Sequence, residues 1–171
     1  NRKHTIKEYL DVIKKLKKAN SNIKFSSDFI IGYPGEDFSD FQKTINLMQE
    51  VKFINSYSFI YSARPGTPAY NFKPIDQKEA KSRLMHFQNI AEKIKSDYRK
   101  NLIDKNLKVL FENKIKNENK YFGRDEFFNS VIVESDVNLT GTIKDVKIKN
   151  VNRNTLFGEK ISNLNSTNYA A

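Results

Sequence analysis

Apolar residues Ile6, Tyr9, Leu10, Ile13 and Leu16 recur at helical spacing with lysines on the opposite face, and the spacing predicts an amphipathic helix over 5–19. Ahead of it Thr5-Ile6-Lys7-Glu8 has the form of a capping box, in which a hydroxyl and a carboxylate each satisfy a backbone N–H of the first turn. The period then changes. Residues 23–33 and 56–61 are apolar, β-branched and aromatic runs that stop abruptly, the first at Pro34-Gly35 and the second before Arg64-Pro65-Gly66-Thr67-Pro68. Runs of this kind read as buried parallel strands that deliver loops to one end of a sheet. Between them Ser39-Asp40-Phe41-Gln42 predicts a second capping box, followed by a helix with Phe41, Ile45, Met48 and Val51 on one face. Helix, strand, helix, strand is the order a parallel sheet with outer crossover helices produces, and the two loops suggest the functional rim of an α/β barrel.

Asp76, with Glu79 three residues on, predicts the cap of a long helix over about 77–105, because Leu84, Phe87, Ala91, Ile94, Tyr98 and Leu102 follow at intervals of three and four. From Leu107 the pattern turns to short β-like runs, 107–111, 130–133 and 142–148, separated by polar turns as in a small antiparallel barrel. The expected organisation is an α/β region over 1–106, a β-barrel over 107–161 and a polar tail over 162–171. The chain opens at Asn1 directly ahead of a helix with no strand before it, and reads as a fragment lacking its N-terminal portion.

Composition adds two constraints. The formal net charge of +10 favours an anionic partner such as RNA, but it is not concentrated in the barrel: residues 1–106 carry 20 Lys/Arg against 12 Asp/Glu, and residues 107–171 carry 10 against 8. There is no cysteine, so neither a disulfide nor a thiolate metal ligand arises within these residues. No run approaches the ~18 consecutive apolar residues of a membrane span, and no apolar segment sits behind a basic flank near the start, so the expectation is a cytoplasmic protein without a membrane partner.

In Ile31-Gly32-Tyr33-Pro34-Gly35-Glu36 the glycines allow close approach of a planar ligand to the main chain. The Glu36 carboxylate either accepts a hydrogen bond from a ribose or an amine or begins the next helix. Arg64, on a loop stiffened by proline and glycine, presents a planar fork suited to a carboxylate or phosphate; the other reading is a pair with Asp28 or Glu36 that closes the sheet. His4 and His86 read as structural or solvated. For RNA the candidates are Arg124, Lys147, Lys149, Asn152 and Arg153: the two lysines lie two apart on a predicted strand and share a face, and Asn152 and Arg153 occupy a loop.

The two rim segments, Ser26-Ser27-Asp28-Phe29-Ile30-Ile31-Gly32 with Tyr33-Pro34-Gly35-Glu36 and Phe59-Ile60-Tyr61-Ser62-Ala63-Arg64-Pro65-Gly66-Thr67-Pro68, resemble the radical S-adenosylmethionine (SAM) methylthiotransferases, most closely those acting on isopentenylated adenosine beside the tRNA anticodon. Tyr33 and Asp37 depart mildly from the usual Phe and Thr. Val109-Leu110-Phe111-Glu112, Gly123-Arg124-Asp125, Leu139-Thr140-Gly141 and Thr155-Leu156-Phe157-Gly158-Glu159 resemble, in order, the family's RNA-binding TRAM domain, an OB-like β-barrel, and Arg2-Lys3-His4-Thr5 resembles the segment opening the first helix.

The resemblance implies the C-terminal part of a TIM-like radical-SAM barrel joined to that domain. It further implies an enzyme that adds a methylthio group to carbon 2 of the adenosine, with one SAM supplying a 5′-deoxyadenosyl radical and another the methyl group. Gly32, Glu36 and Arg64 would shape the SAM side, the barrel would grip the tRNA anticodon stem-loop, and the whole protein would be monomeric. Two 4Fe-4S clusters are implied as well, yet the CxxxCxxC motif and the further cysteines that hold them are absent here, so this chain alone is expected to hold no metal or catalytic residue and to be inactive. Two other readings stand beside this one: a methylthiotransferase for threonylcarbamoyl-adenosine, and a non-catalytic RNA-binding module that has lost its clusters.

Overall fold

The first helix, α1 (Ile6–Ala19), begins as its sequence predicts: the Thr5 hydroxyl accepts from the Glu8 N–H at 3.3 Å and the Glu8 carboxylate accepts from the Thr5 N–H at 2.7 Å. This computed structural model describes residues 4–161, which divide into two units on either side of Lys95 and Ser96. Arg2 and Lys3, and the tail from Ser162, lie outside the described residues.

In the first unit β1 (Ser26–Ile31), α2 (Phe38–Val51) and β2 (Asn55–Ile60) form a strand–helix–strand crossover, with β1 and β2 parallel in the register Phe29 with Ser58 and Ile31 with Ile60. Their loops therefore leave from the same edge. The cap of α2 differs from the expected one: Asp37, not Ser39, accepts the Asp40 N–H at 2.8 Å. The backbone carbonyls of Glu36 and Asp37 are both hydrogen-bonded to Arg83, which pins the loop so that the chain turns helical two residues earlier than the motif suggested.

Phe29 and Ile31 on one face of the strand pair pack with Ile13 of α1, Phe41, Ile45, Met48 and Val51 of α2, Phe53, and Phe87 of α3 (Gln77–Lys100). The opposite face carries Ile30 at 61% and Phe59 at 59% exposure, side by side in the register. Asp76 caps α3 as expected, its Oδ1 accepting from the N–H groups of Lys78 and Glu79. The helix stops at Lys100 rather than continuing to 105. Asp104 takes a left-handed φ of 65°, its N–H donates to the Ile148 carbonyl at 2.8 Å, and the Ile148 N–H donates to Lys105 at 2.9 Å, so strand pairing has already replaced helical bonding there.

The second unit is a closed barrel of β3 (Asn106–Lys114), β4 (Lys120–Asp125), β5 (Ser130–Glu134), β6 (Ile143–Val151) and β7 (Thr155–Lys160) in the order β3-β4-β5-β7-β6. The expected antiparallel arrangement holds at every junction except β5–β7, which is parallel. Five is odd, so strands alternating in direction around a closed ring must bring one like-directed pair together. Val109, Phe111, Tyr121, Val131, Val133, Leu139, Val146, Ile148 and Leu156 fill the interior. Strands β4 and β7 did not stand out in the hydrophobic pattern, because Tyr121-Phe122 and Leu156-Phe157 put aromatic or aliphatic side chains on both faces and erase the alternation.

Gly123 and Gly158 sit inside strands because neighbouring backbone fills the space a side chain would need. A Cβ on Gly123 would stand 2.8 Å from Val109 Cγ1 and closer still to the Leu110 carbonyl oxygen. Gly123→Ala is expected to destabilise the barrel by about 1–3 kcal/mol, read as a lower urea midpoint with an unchanged denaturant slope; an unchanged midpoint would refute this packing account.

Candidate functional site

The parallel register of β1 and β2 sets the loops after Ile31 and Ile60 beside each other at the carboxyl edge, where ligands of α/β sheets bind. The ladder runs on into the loops through the Tyr61 N–H, which donates to the Ile31 carbonyl at 2.9 Å, and through Tyr33 and Tyr61, whose rings meet edge to face at 5.1 Å. Gly32 takes a φ of +76°, and a Cβ there would stand 3.0 Å from the Ala80 Cβ of α3. The glycine thus serves helix packing as well as the turn.

The Glu36 carboxylate has a partner within the protein on each oxygen. One carboxylate oxygen accepts from the Gly32 N–H at 3.1 Å and the other from Arg83 Nη1 at 2.7 Å. Arg83 is 7% exposed; it also donates to the Glu36 carbonyl at 2.9 Å, pairs with Glu79 one turn earlier on α3, and lies over the Phe41 ring. Burial works against the charged guanidinium, but the hydrogen bonds with Glu36 and Glu79 outweigh it and raise its pKa above the ordinary arginine value. Glu36 does not begin the helix, which Asp37 caps; its carboxylate holds the loop through the Gly32 N–H and Arg83.

Arg83 belongs to no motif, but the sequence carries a signal for it. It lies between Ala80 and Phe87 on the buried stripe of α3, where a charge requires a partner. Arg64 is exposed, and its guanidinium forms no ion pair with the described residues, so it does not close the sheet through Asp28 or Glu36. Its carbonyl accepts from Thr67 Oγ1 at 2.8 Å, which folds the loop back and leaves the side chain outward.

On the barrel, Lys147 and Lys149 do share the outer face, between inward Val146 and Ile148, and meet around Glu159: Lys149 pairs with Glu159 at 3.1 Å, Lys147 stands opposite it in the register and pairs with Asp104 at 3.5 Å. Arg124 pairs with Glu112 at 3.0 Å and lies over the Phe122 ring. These ion pairs are solvent-accessible and weak, and a phosphate can replace the carboxylate. Asn152 plays a part in the fold, its Oδ1 accepting from the N–H groups of Asn154 at 2.9 Å and Thr155 at 2.7 Å to build the β6–β7 turn. Arg153 is exposed on that turn, its carbonyl held by the buried Arg99. Among the described residues no cluster of His, Asp and Glu is arranged to hold a metal ion, and no helix is long and apolar enough to cross a membrane.

No family model matches the chain. It is 51% identical over 159 residues to the tRNA-2-methylthio-N(6)-dimethylallyladenosine synthase of Pelagibacter ubique (strain HTCC1062), covering 93% of this chain and 36% of that protein. Proteins of the same name from Wolbachia pipientis subsp. Culex pipiens (strain wPip) and Ehrlichia ruminantium (strain Gardel) are each 40% identical over 161 residues, covering 92% of this chain and 37% and 36% of their own lengths. The chain thus spans about a third of the relatives it matches.

Because Glu36 is nearly as buried as Arg83, with side-chain exposures of 11% and 8%, removing the cation strands a carboxylate. Arg83→Met is expected to destabilise the first unit by about 3–5 kcal/mol, measured by denaturant titration; a loss below about 1 kcal/mol would mean the pair behaves as a surface salt bridge.

Proposed function

The chain belongs by homology with the tRNA-2-methylthio-N(6)-dimethylallyladenosine synthases, matching about a third of their length, and from this premise we propose that it is the C-terminal part of an enzyme that adds a methylthio group to carbon 2 of isopentenyl-modified adenosine next to the anticodon. The observation that carries the reading is that the similarity runs through both units, from the loops at the carboxyl edge of β1 and β2 to the closed barrel, in one alignment of 159 residues. On this reading the first unit completes a radical-SAM barrel and the second is the TRAM domain that holds the tRNA anticodon stem-loop. The whole enzyme works as a cytoplasmic monomer.

The first unit's edge fits SAM. Arg64 offers an outward guanidinium to a carboxylate, Gly35 and Gly66 have open space where a side chain would stand, and exposed Ile30 and Phe59 offer an apolar surface to a purine. SAM, when bound, supplies the methyl group and the radical initiation of the reaction. This chain's contribution is to orient it: Arg64 fixes the carboxylate end, and the Gly32–Glu36 loop, held by Arg83, keeps its place at the sheet edge without reorganising during the reaction. With no cysteine in its 171 residues the chain does not fit an iron–sulfur cluster, whose ligands the reading assigns to the remaining two-thirds of the protein.

The test is the complete protein, reconstituted anaerobically with iron and sulfide and given tRNA bearing isopentenyladenosine, with the digested nucleosides analysed by mass spectrometry. The methylthio product is expected; its absence with a fully reconstituted enzyme overturns the reading. In the same assay Arg64→Lys keeps the charge and loses the paired hydrogen bonds, so turnover should fall roughly tenfold or more with no change in melting temperature, since the guanidinium has no ion pair among the described residues to lose.

For the RNA side, Lys147→Ala with Lys149→Ala should flatten the salt dependence of tRNA affinity by up to about two phosphate contacts while leaving the barrel folded. An unchanged slope would place the phosphate contacts elsewhere, for instance on the lysine-rich α1.

A further inference from the structure

The β4–β5 hairpin breaks a local rule. A turn closed by the Phe128 N–H donating to the Asp125 carbonyl at 3.1 Å, with the Asp125 N–H donating to Asn129, leads into a residue at φ +62°. That position in a short hairpin calls for glycine or asparagine, because a Cβ in left-handed backbone crowds the following carbonyl. Here it is Phe128, a bulky aromatic residue that is 74% exposed and gains no burial from its strained conformation.

The strain is imposed by a rigid base. Asp125 and Asn129 are buried, at 6% and 4% exposure; Asp125 accepts from the N–H groups of Phe127 at 2.9 Å and Asn129 at 2.8 Å, and from the Asn129 side-chain amide at 2.7 Å. A fully hydrogen-bonded turn holds an aromatic ring out in water, which is the arrangement of an anchor kept for a partner.

The surroundings select the partner. Arg124 stands on β4 just before the tip and is paired in the ladder with Ser130, which is in turn paired with Thr155, so the β6–β7 turn carrying Arg153 lies at the same end of the barrel. Both arginines are exposed. On the other side of the balance Asp125 is buried in the turn, and Glu126 is the exposed carboxylate of the tip. An outward ring at the same end of the barrel as these two arginines fits an unpaired RNA nucleotide, its base stacked on the ring and its phosphates met by the guanidinium groups, that of Arg124 by exchange from its solvent-accessible pair with Glu112.

We propose that Phe128 is a stacking anchor for an unpaired base of the RNA, and that the tip of the β4–β5 hairpin together with the β6–β7 turn is the end of the barrel that reads single-stranded RNA. The proposal rests on the RNA-binding role assigned above and names the contact through which it is carried out.

The test sets stability against binding. In the full chain, Phe128→Gly relieves the backbone strain, so its melting temperature should rise by about a few degrees. Its affinity for a stem-loop RNA, measured by fluorescence anisotropy at fixed salt, should fall about fivefold or more, and that for a perfect duplex of the same stem should not change. Phe128→Asn should behave like glycine, and Phe128→Trp should restore stem-loop binding.

Wild-type affinity for the stem-loop in Phe128→Gly, or an equal loss on duplex and stem-loop, overturns the proposal; the first outcome would leave a protein partner as the use of the exposed ring. If the wild-type chain binds neither RNA, the RNA-binding reading itself has failed and takes the proposal with it. A wild-type chain that binds RNA while Phe128→Gly is unaffected counts against Phe128 alone.

Discussion

The carboxyl edge of the first unit turns on one buried guanidinium. Arg83 reaches from α3 to the carboxylate and carbonyl of Glu36 and to the carbonyl of Asp37, while Glu36 in turn holds the Gly32 N–H. A charge in that position is tolerable only because carboxylates and carbonyls surround it. The same requirement fixes the conformation of every backbone group it touches. Through these contacts Arg83 ties the loop after β1 and the start of α2 to α3.

With Glu36 held by Arg83 and the Gly32 N–H, the groups with open surroundings at this edge are the outward Arg64 and the aliphatic and aromatic residues on the uncovered face of the strand pair. This divides the labour between two arginines that look equivalent in a sequence. Arg83 is desolvated and enclosed by acceptors, so its contribution is to structure; Arg64 is solvated and outward, with no ion pair among the described residues.

The barrel separates fold from function in the same way. Its interior is filled by alternate residues of all five strands, and the ring closes through a parallel junction because the number of strands is odd. The outer face carries cations held by accessible carboxylates, which positions them without committing them. The polar turns are not equivalent: Asn152 spends its side chain on the β6–β7 turn, whereas the β4–β5 turn uses buried Asp125 and Asn129 and leaves Phe128 exposed.

The sequence by itself determined what depends on neighbours along the chain: the capping box at Thr5, the amphipathic face of α1, the cap at Asp76, and the shared face of Lys147 and Lys149. Each is written in residues three or four apart on a helix or two apart on a strand, a distance at which spacing and geometry are the same thing. The tertiary structure alone decided the partner of Glu36, which lies 47 residues away in sequence. It also decided that Asp37 rather than Ser39 begins α2, and that Gly123 and Gly158 belong inside strands because another strand's backbone fills the space of a side chain. These depend on which surfaces meet across the core, and a buried charge or an absent Cβ records that something must meet it without recording what.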